Sequence, residues 1–210
     1  MALVCGEIAS HPIYATLLVG MGFRHLSMNA YAIPEIKQRL RKISYHQSRE
    51  MLIEVLKLST LEDVEEALQF LRSAEAELVV SLGGGSVLDA GKILAAMATN
   101  PEPLKDYLSG KKSLKNKPLP FIAIPTTSGT ASEVTCWATL WDMKQKKKFS
   151  LSHPWMFPEY AIIDPQLAVH MPPQITGITG MDALTHAIES CWSKSSQPIS
   201  DAFALHAIRL

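Results

Sequence analysis

The chain has 210 residues, of which 47% are hydrophobic and 19% charged, as in folded globular proteins and unlike disordered ones. Twenty basic residues balance twenty acidic ones, so no bulk charge attracts nucleic acid or an anionic membrane. The longest apolar stretch near the start, Ile13 to Phe23, is too short to cross a bilayer and lacks the basic lead-in of a secretory signal. Cys5, Cys136 and Cys191 lie far apart, which indicates reduced thiols. We therefore expect a cytoplasmic protein that binds neither nucleic acid nor membrane.

Short α/β alternation is predicted for the first third of the chain. A helix is expected over PIYATLLVGMGF, followed by an extended HLSMN. Pro34 then opens a helix, PEIKQRLRKI, because proline is well tolerated in the first helical turn. A further amphipathic stretch follows, SREMLIEVLKL.

A clearer α/β unit begins at Thr60. Thr60 and Asp63 have the spacing of a capping box before the helix EEALQFLRSA. ELVVSL then predicts a strand buried on both faces, which runs into three glycines and the helix VLDAGKILAAMAT. A second buried strand, FIAIP, leads into the loop TTSGTASEVT.

The pattern changes again toward the end of the chain. CWATLWD and KKFSLSH predict a β-hairpin with a lysine-rich turn, and YAIID predicts one more strand. Two helices follow, ITGMDALTHAIESCW and PISDAFALHAIRL. We place a domain boundary near residues 171–173, and the last helix ends without a cap, which suggests a chain cut short.

The three glycines form a candidate phosphate-binding loop between a strand and a helix. Glycine lets the backbone approach an anion, and the free N–H groups of the first helical turn point at it. Ser86 is expected to cap the helix, with Asp89 as its acidic partner. The alternative is a tight turn without a ligand. The motif is not the spaced GxGxxG fingerprint, so an ordinary Rossmann assignment would be wrong in detail.

The loop at residues 125–135 places several hydroxyl side chains directly after a buried strand. Ligands of open α/β sheets bind at the carboxyl ends of the strands, so this loop could face the glycine loop and hold ribose, pyrophosphate or the nicotinamide amide. The alternative is a set of ST-turns and helix caps. The lysines at 144 and 146–148 are best interpreted as a solvated hairpin tip, from which one could reach a phosphate.

Asp182 and His186 lie four residues apart and share one face of a predicted helix. A carboxylate oxygen and an imidazole nitrogen at this spacing can hold one divalent ion between them. Alternatively, Asp182 caps the helix and His186 is a satisfied, half-buried histidine. Two ligands do not complete a catalytic metal site. His206, on the next helix, could contribute, although nothing in the pattern points to it.

Taken together, VVSLGGGSVLDAGK, AIPTTSGTASEVT, IIDP and GMDALTHAIE resemble the iron-containing (group III) alcohol dehydrogenases over about residues 60–210. The resemblance implies a Rossmann-like dinucleotide-binding α/β domain followed by an all-helical domain that binds iron or zinc. It also implies hydride transfer between NAD(P)H and a small aldehyde that the metal polarises. WATLWDMKQKKKFSLSHPW looks most like the branch that includes phosphonoacetaldehyde reductases.

The resemblance also implies site residues. The pyrophosphate loop of the family is matched by Gly84, Gly85, Ser86 and Asp89. Its cofactor-contacting threonines are matched by Thr126, Thr127, Thr130 and Thr135, and its lysine after the hairpin by Lys148. Asp182 and His186 match the first two metal ligands. The family's remaining ligands are histidines that would lie beyond Leu210, and its first βα unit, which helps to choose NAD over NADP, is not recognisable.

Residues 1–58 resemble a different family. LVCGEIASHPIYATLLVGMGFRHLSMNAYAIPEIKQRLR looks like the C-terminal end of phosphoenolpyruvate-protein phosphotransferases, the last part of a TIM-type barrel. Cys5 stands at the position of that family's catalytic acid. The segment lacks the family's phosphohistidine domain and the metal-binding and phosphoenolpyruvate-binding residues of its barrel. We infer a chimera, a rearranged gene or an assembly artefact, with the join between about Leu56 and Val64. The predicted domains are the fragment at residues 1–58, a dinucleotide-binding domain at 59–171 and a truncated helical metal-binding domain at 172–210.

Three functions compete on this sequence. The first is a metal-dependent alcohol dehydrogenase whose activity is impaired by truncation. The second is a non-catalytic nucleotide-binding module, and the third is phosphoryl transfer from phosphoenolpyruvate through Cys5. The terminal helices are expected to expose apolar faces, so homo-oligomers or aggregates are predicted.

Overall fold

The computed structural model of the chain describes residues 3–5, 15, 19, 25–28, 30–42, 44, 60–73, 76–169 and 171–210. The chain divides into two compact units, residues 1–57 and 58–210. The helix predicted over SREMLIEVLKL and most of the one predicted over PIYATLLVGMGF lie outside the described residues. The further boundary near residues 171–173 stays a prediction.

The described part of the first unit contains two short parallel strands and one helix. Strand β1 (Leu3–Cys5) pairs with β2 (His25–Ser27), which lies within the predicted extended segment. Helix α1 (Ile33–Lys42) confirms the predicted helix, although it begins one residue before Pro34 and ends one residue before the predicted end. An acidic residue, Glu35, lies in its first turn and three basic residues lie in its last turn, a distribution that interacts favourably with the helix dipole.

The second unit alternates helices and strands and then becomes helical. In chain order the elements are α2 (Leu61–Ser73), β3 (Val79–Gly83), α3 (Gly85–Thr99), α4 (Leu104–Leu108), β4 (Phe121–Pro125), β5 (Trp137–Asp142), β6 (Lys147–Ser152), β7 (Tyr160–Ala161), α5 (Pro173–Trp192) and α6 (Pro198–Arg209). Among the described residues, no helix is long and apolar enough to cross a membrane.

Three strands of this unit form a parallel sheet in the order β3–β4–β7. All five residues of β4 are buried, as FIAIP predicts. Strand β3 alternates between buried and partly buried residues, so only one of its faces is fully covered, contrary to the prediction. Strand β7 keeps only the first two residues of YAIID. A parallel pair of this kind puts the carboxyl ends of β3 and β4 at one edge, where the two candidate loops begin.

Helix α2 starts with the predicted capping box. The backbone N–H of Asp63 donates to Thr60 Oγ1 at 3.2 Å, and the backbone N–H of Thr60 donates to Asp63 Oδ2 at 3.0 Å. These reciprocal bonds satisfy the backbone N–H groups of Thr60 and Asp63. The N–H of Asp63 lies in the first helical turn, where it would otherwise have no partner within the helix. The capping box therefore fixes the start of α2 as the sequence predicts.

Helix α3 packs directly against β3 and β4 and forms the centre of the core. Its residues 90–97 are all buried. Gly91 lies so close to the sheet that a Cβ there would stand 1.9 Å from Ser81 Oγ and 2.7 Å from a ring carbon of Phe121. This glycine is therefore required for the close approach of helix and strand.

The lysine-rich turn joins β5 and β6 into the predicted antiparallel hairpin. Asp142 Oδ1 accepts the backbone N–H of Gln145 at 2.8 Å, which closes the turn. Lys146 has φ of 51°, a left-handed conformation that glycine or asparagine adopts more readily. Lys144 forms an ion pair with Glu62 of α2 at 3.4 Å.

The two terminal helices, α5 and α6, pack against each other and leave apolar side chains uncovered. Trp192, Ile199 and Phe203 are 79%, 73% and 74% exposed. Ile178 and Met181 on α5 are also exposed. The exposed apolar faces expected from the sequence are therefore present.

We predict that Ser81→Ala raises the free energy of unfolding by about 1 kcal/mol. Ser81 Oγ is fully buried and has no hydrogen-bond partner among the described residues, so removing the hydroxyl removes an uncompensated desolvation cost. Urea denaturation followed by circular dichroism measures the change. The comparison variant is Gly91→Ala, which should lower the same free energy by about 1–3 kcal/mol because its Cβ has no space. A stability loss for Ser81→Ala would contradict the assignment.

Candidate functional site

The glycine loop (residues 83–85) and the loop at residues 125–135, here called the threonine loop, meet at the carboxyl edge of the parallel sheet. The backbone N–H of Thr126 donates to Gly83 O at 2.9 Å, so the last residue of β3 bonds to the first residue after β4. The loops therefore leave the sheet side by side, as the sequence predicts for the ends of neighbouring strands.

Two glycines lie against the threonine loop, and one of them is needed for the close packing. A Cβ at Gly85 would stand 2.7 Å from Thr130 Oγ1 and 2.8 Å from Thr130 Cγ2, which leaves no space for a side chain. A Cβ at Gly84 would stand 3.4 Å from Thr127 Oγ1, at the edge of ordinary van der Waals contact. Thr127 and Thr130 therefore lie directly against the glycine loop, with the hydroxyl of Thr127 beside Gly84 and the hydroxyl of Thr130 beside Gly85.

The N-terminus of α3 lies beside these two threonines and has no side-chain cap. Gly84 is the capping residue, and Ser86 is already inside the helix and exposed, so the prediction that Ser86 caps the helix is wrong. The reason is that Gly84 O accepts the backbone N–H groups of Val87 and Leu88, which starts the helix two residues earlier. The other N–H groups of the first turn lack intrahelical partners, as at every helix start, and can bind an anion.

Lys92 is a buried cation beneath the threonine loop. Its Nζ donates to Ser132 Oγ at 2.9 Å, to Thr135 Oγ1 at 3.1 Å and to Trp137 O at 2.6 Å. Asp89, one turn earlier on α3, lies 3.5 Å from the ammonium. Burial lowers the pKa of Lys92 below its usual 10.5, and the neighbouring Asp89 acts in the opposite direction.

Asp89 belongs to the same buried network and does not cap α3. Its Oδ1 accepts the Ser132 hydroxyl at 2.5 Å, and its Oδ2 accepts the backbone N–H of Thr139 at 2.9 Å. The expected pairing of Asp89 with Ser86 is thus replaced by bonds to Ser132, within the threonine loop, and to Thr139, in β5. Asp89 and Thr135 face Lys92, while Thr127 and Thr130 face the glycines.

Sequence reasoning missed Lys92, although a signal was present. It is a lone lysine within a helix that is otherwise apolar, three residues after Asp89. On a helix that spacing puts the two charges on one face. A charge in the middle of a buried helix indicates a paired, functional or positioning group.

Ala131, within the threonine loop, adopts the left-handed conformation with φ of 51°. This conformation costs a residue with a Cβ about 1–2 kcal/mol. The turn at Ser132–Val134 follows immediately, and its first residue bonds to Asp89 and Lys92. The network therefore holds the loop in a conformation that Ala131 does not prefer.

Lys148 lies on the hairpin opposite Trp141, with its Nζ 4.8 Å from the centre of the indole ring. This is a cation–π contact on an exposed face. The other lysines of the turn, 144, 146 and 147, are exposed as well, as expected for a solvated hairpin tip. Among the four, Lys148 has its ammonium held over an aromatic ring.

Asp182 and His186 lie on one face of α5, as their spacing predicts. His186 Nε2 is 3.6 Å from Asp182 Oδ1, and the side chains are 61% and 43% exposed, respectively. Donor atoms about 2 Å from one metal ion stand about 3 to 3.5 Å apart. The 3.6 Å separation of this pair is close to that range, so a small rotation of either exposed side chain would bring both donors to one ion. In the described part of the chain, no group of three or more His, Cys, Asp or Glu residues could hold a metal.

A parallel sheet with a glycine loop and a threonine loop at its strand ends is the architecture of a nucleotide-binding α/β protein. Residues 26–165, about two thirds of the chain, match the family described as iron-containing alcohol dehydrogenase. Residues 176–210 match the C-terminal region of the same family. The chain belongs to the iron-containing alcohol dehydrogenase family. The match begins well before residue 60, where the recognised motifs start.

Residues 1–45 match a second family, the phosphoenolpyruvate-binding domain of phosphoenolpyruvate-utilising enzymes. This agrees with the second resemblance seen in the sequence. The two family matches overlap over residues 26–45.

Curated relatives show the same family. The chain is 41% identical to long-chain-alcohol dehydrogenase 1 of Geobacillus thermodenitrificans over 180 residues, which are 85% of this chain and 45% of the relative. It is 41% identical to 1,3-propanediol dehydrogenase of Citrobacter freundii over 148 residues, 70% of this chain and 38% of the relative. The chain thus spans less than half the length of these relatives.

Solved structures share the fold. Sulfoacetaldehyde reductase from Bifidobacterium kashiwanohense in complex with NAD+ is 41% identical, with a TM-score of 0.69, over 73% of this chain and 42% of that one. NADH-dependent butanol dehydrogenase A from Thermotoga maritima is 26% identical, with a TM-score of 0.70, over 100% of this chain and 54% of that one. The fold of the chain is therefore the Rossmann-like α/β fold of this family.

We predict that Lys92→Met lowers the free energy of unfolding by about 3 kcal/mol, because it leaves Asp89 and several acceptors without their buried partner. Lys144→Met is the matched control, since it removes a surface ion pair worth at most about 1 kcal/mol. Urea denaturation of both variants gives the comparison. Equal losses in the two variants would contradict a special role for Lys92.

The lowered pKa of Lys92 also predicts a pH dependence. Between its folded-state pKa and 10.5, the unfolded chain holds a proton that the folded chain has lost. The contribution of Lys92 to the free energy of unfolding therefore rises with pH in that window. The difference in unfolding free energy between the unaltered chain and Lys92→Met, measured from about pH 8 upward, should increase toward 10.5. A flat difference would contradict the direction of the shift.

Proposed function

We propose that the chain binds a nicotinamide dinucleotide between the glycine loop and the threonine loop and takes part in metal-assisted hydride transfer between NAD(P)H and a small aldehyde. The observation that carries the proposal is the packing of Gly84 and Gly85 against Thr127 and Thr130 beside the uncapped start of α3. That arrangement combines close backbone approach, unpaired N–H groups and several hydroxyls in one place.

Each loop residue has a distinct role in this proposal. The backbone at Gly84, Gly85 and Ser86 binds the pyrophosphate at the start of α3. The hydroxyls of Thr126, Thr127 and Thr130 are assigned to the pyrophosphate, ribose or nicotinamide amide. Asp89 and Thr135 act through the Lys92 network, which holds the threonine loop in place. The ammonium of Lys148 is assigned to the cofactor from the hairpin side.

Asp182 and His186 are proposed to contribute two ligands to a divalent metal, iron or zinc. The donor set, one carboxylate oxygen and one imidazole nitrogen 3.6 Å apart, suits either ion. When bound, the metal supplies Lewis acidity that polarises a carbonyl, and the nicotinamide supplies or accepts the hydride. The protein orients both by its loops and by α5.

The substrate is proposed to be a small aldehyde or its alcohol, with either NAD or NADP as the dinucleotide. Support comes from the relatives, which are named for long-chain alcohols, 1,3-propanediol and sulfoacetaldehyde. The similarity to sulfoacetaldehyde reductase supports a place for this chain in the branch of reductases that act on short aldehydes with an anionic group. The exposed apolar faces of α5 and α6 support association into homo-oligomers or aggregates. We also propose that the protein is located in the cytoplasm.

A second candidate is a nucleotide-binding module without hydride transfer. It is favoured by the finding that Asp182 and His186 have no third metal-binding partner among residues 60–73, 76–169 and 171–210. Metal binding separates the two candidates, because only the first requires it.

We expect NADH to bind with an affinity in the micromolar range and Gly85→Ala to weaken it at least about tenfold, since the new Cβ displaces Thr130. Titration followed by nicotinamide fluorescence measures both. Gly177→Ala is the matched control, because a Cβ there meets nothing within 4 Å. Unchanged affinity in Gly85→Ala would remove the dinucleotide from this loop.

We expect Asp182→Ala and His186→Ala each to lower the affinity for ferrous or zinc ion at least about tenfold, with NADH affinity unchanged. Isothermal titration with each ion gives the values. His206→Ala on α6 is the control, since His206 is an exposed histidine of the neighbouring helix. Loss of metal binding in the control and not in the other two variants would move the site to α6.

A further inference from the structure

The threonine loop approaches α5 closely at a glycine, Gly129, which lies against Thr179. A Cβ at Gly129 would stand 2.4 Å from Thr179 O and 2.7 Å from Thr179 Cβ. Gly129 also has φ of +155°, a conformation open to glycine and closed to residues with a Cβ. The loop and the helix can therefore approach this closely because residue 129 has no side chain.

The helix side of the contact cannot yield by a local rotation. Thr179 O is a backbone atom of α5, and the Thr179 hydroxyl donates to Ile175 O at 3.0 Å, which holds the side chain against its own helix. Any added volume at residue 129 must therefore move the helical turn itself. The other glycines of this helix, Gly177 and Gly180, face open space.

The contact lies between the two halves of the proposed site. Thr127 and Thr130, on either side of Gly129, lie against the glycine loop. Thr179 lies one helical turn before Asp182, and about two turns before His186. The threonine loop is thus a spacer with the glycine loop on one side and the Asp182–His186 helix on the other.

We propose that Gly129 is a positioning residue that sets the separation between the dinucleotide loops and the Asp182–His186 pair. This inference rests on the proposed function, because the separation matters only if a dinucleotide and a metal react across it. Relief of a 2.4 Å contact needs a displacement approaching an ångström, and misplacement on that scale costs up to about a hundredfold in rate.

The test compares Gly129→Ala with Gly177→Ala in the isotopically labelled full chain. Backbone amide and histidine ring spectra report the position of α5 without metal or cofactor, and fluorescence titration reports NADH affinity. In Gly129→Ala we expect shifts of the Asp182 amide and the His186 ring, with NADH affinity within about twofold of the unaltered chain. In aldehyde reduction, kcat should fall at least about tenfold while KM for NADH is unchanged. Gly177→Ala should leave the His186 ring and the kinetics unaltered.

Two outcomes would overturn the proposal. Shifts confined to residues 84–88 and 126–131, with α5 unaltered, would show that the loop yields and the helix does not. A loss of NADH affinity of about tenfold or more would make Gly129 part of the dinucleotide site. Absence of NADH binding in the unaltered chain would instead count against the proposed function, and the His186 ring would still report whether Gly129 positions α5.

A second variant covers the case in which Gly129→Ala does not fold. Thr179→Gly thins the same contact from the helix side and leaves the backbone at residue 129 unstrained. We expect the amides of residues 127–130 and of Asp182 to shift together, with NADH affinity retained. Shifts limited to the helix, with none in the loop, would overturn the proposal.

Discussion

The ammonium of Lys92 is the interaction on which the arrangement of the site depends. A buried cation is tolerated only when it is paired and hydrogen-bonded, and Lys92 meets that requirement with Asp89 and three oxygen acceptors. Its partners come from α3, from the C-terminal part of the threonine loop and from the start of β5. One desolvated charge thus joins the helix that follows the glycine loop to the end of the threonine loop and to β5.

This arrangement explains why residues with the same apparent role face in different directions. Thr127 and Thr130 lie on the glycine side of their loop, and Thr135 lies on the Lys92 side. Asp89 likewise belongs to the interior. The polar residues of the two motifs therefore divide into a set that is open to a ligand and a set that holds the first set in place.

Much of the second unit could be predicted from its sequence because local signals and tertiary packing agree there. The capping box at Thr60, the buried strand FIAIP and the lysine-rich hairpin each have a short-range physical cause that no distant contact overrides. The start of α3 was misjudged because backbone acceptors at Gly84 competed with the side chain of Ser86. Lys92 was missed because its three hydrogen-bond acceptors are 40 to 45 residues away in sequence, and spacing rules do not reach that far. The helix bearing Asp182 and His186 follows from periodicity, whereas its contact with Gly129 depends on tertiary structure.

The first unit illustrates a different limit. Motif reasoning located the start of the dehydrogenase family near residue 60, because its recognisable motifs, of which VVSLGGGSVLDAGK is the first, all lie beyond that point. The family match begins at residue 26, within a segment whose helices carry ordinary amphipathic patterns. Such patterns specify a helix but say little about which family the helix comes from. The two family matches overlap over residues 26–45, a range that contains α1.

The left-handed backbone at Ala131 has a consequence for the range of sequences that this loop can accept. The position is fixed by the Lys92 network on its C-terminal side, so the backbone cannot relax to suit the side chain. Any residue larger than alanine adds its own rotamer restrictions to a conformation that already disfavours a Cβ, and β-branched residues are affected most. A library of all substitutions at this position, selected for folding alone, would therefore be dominated by glycine and asparagine. Residue 131 would then be restricted to a few residue types by its backbone conformation alone.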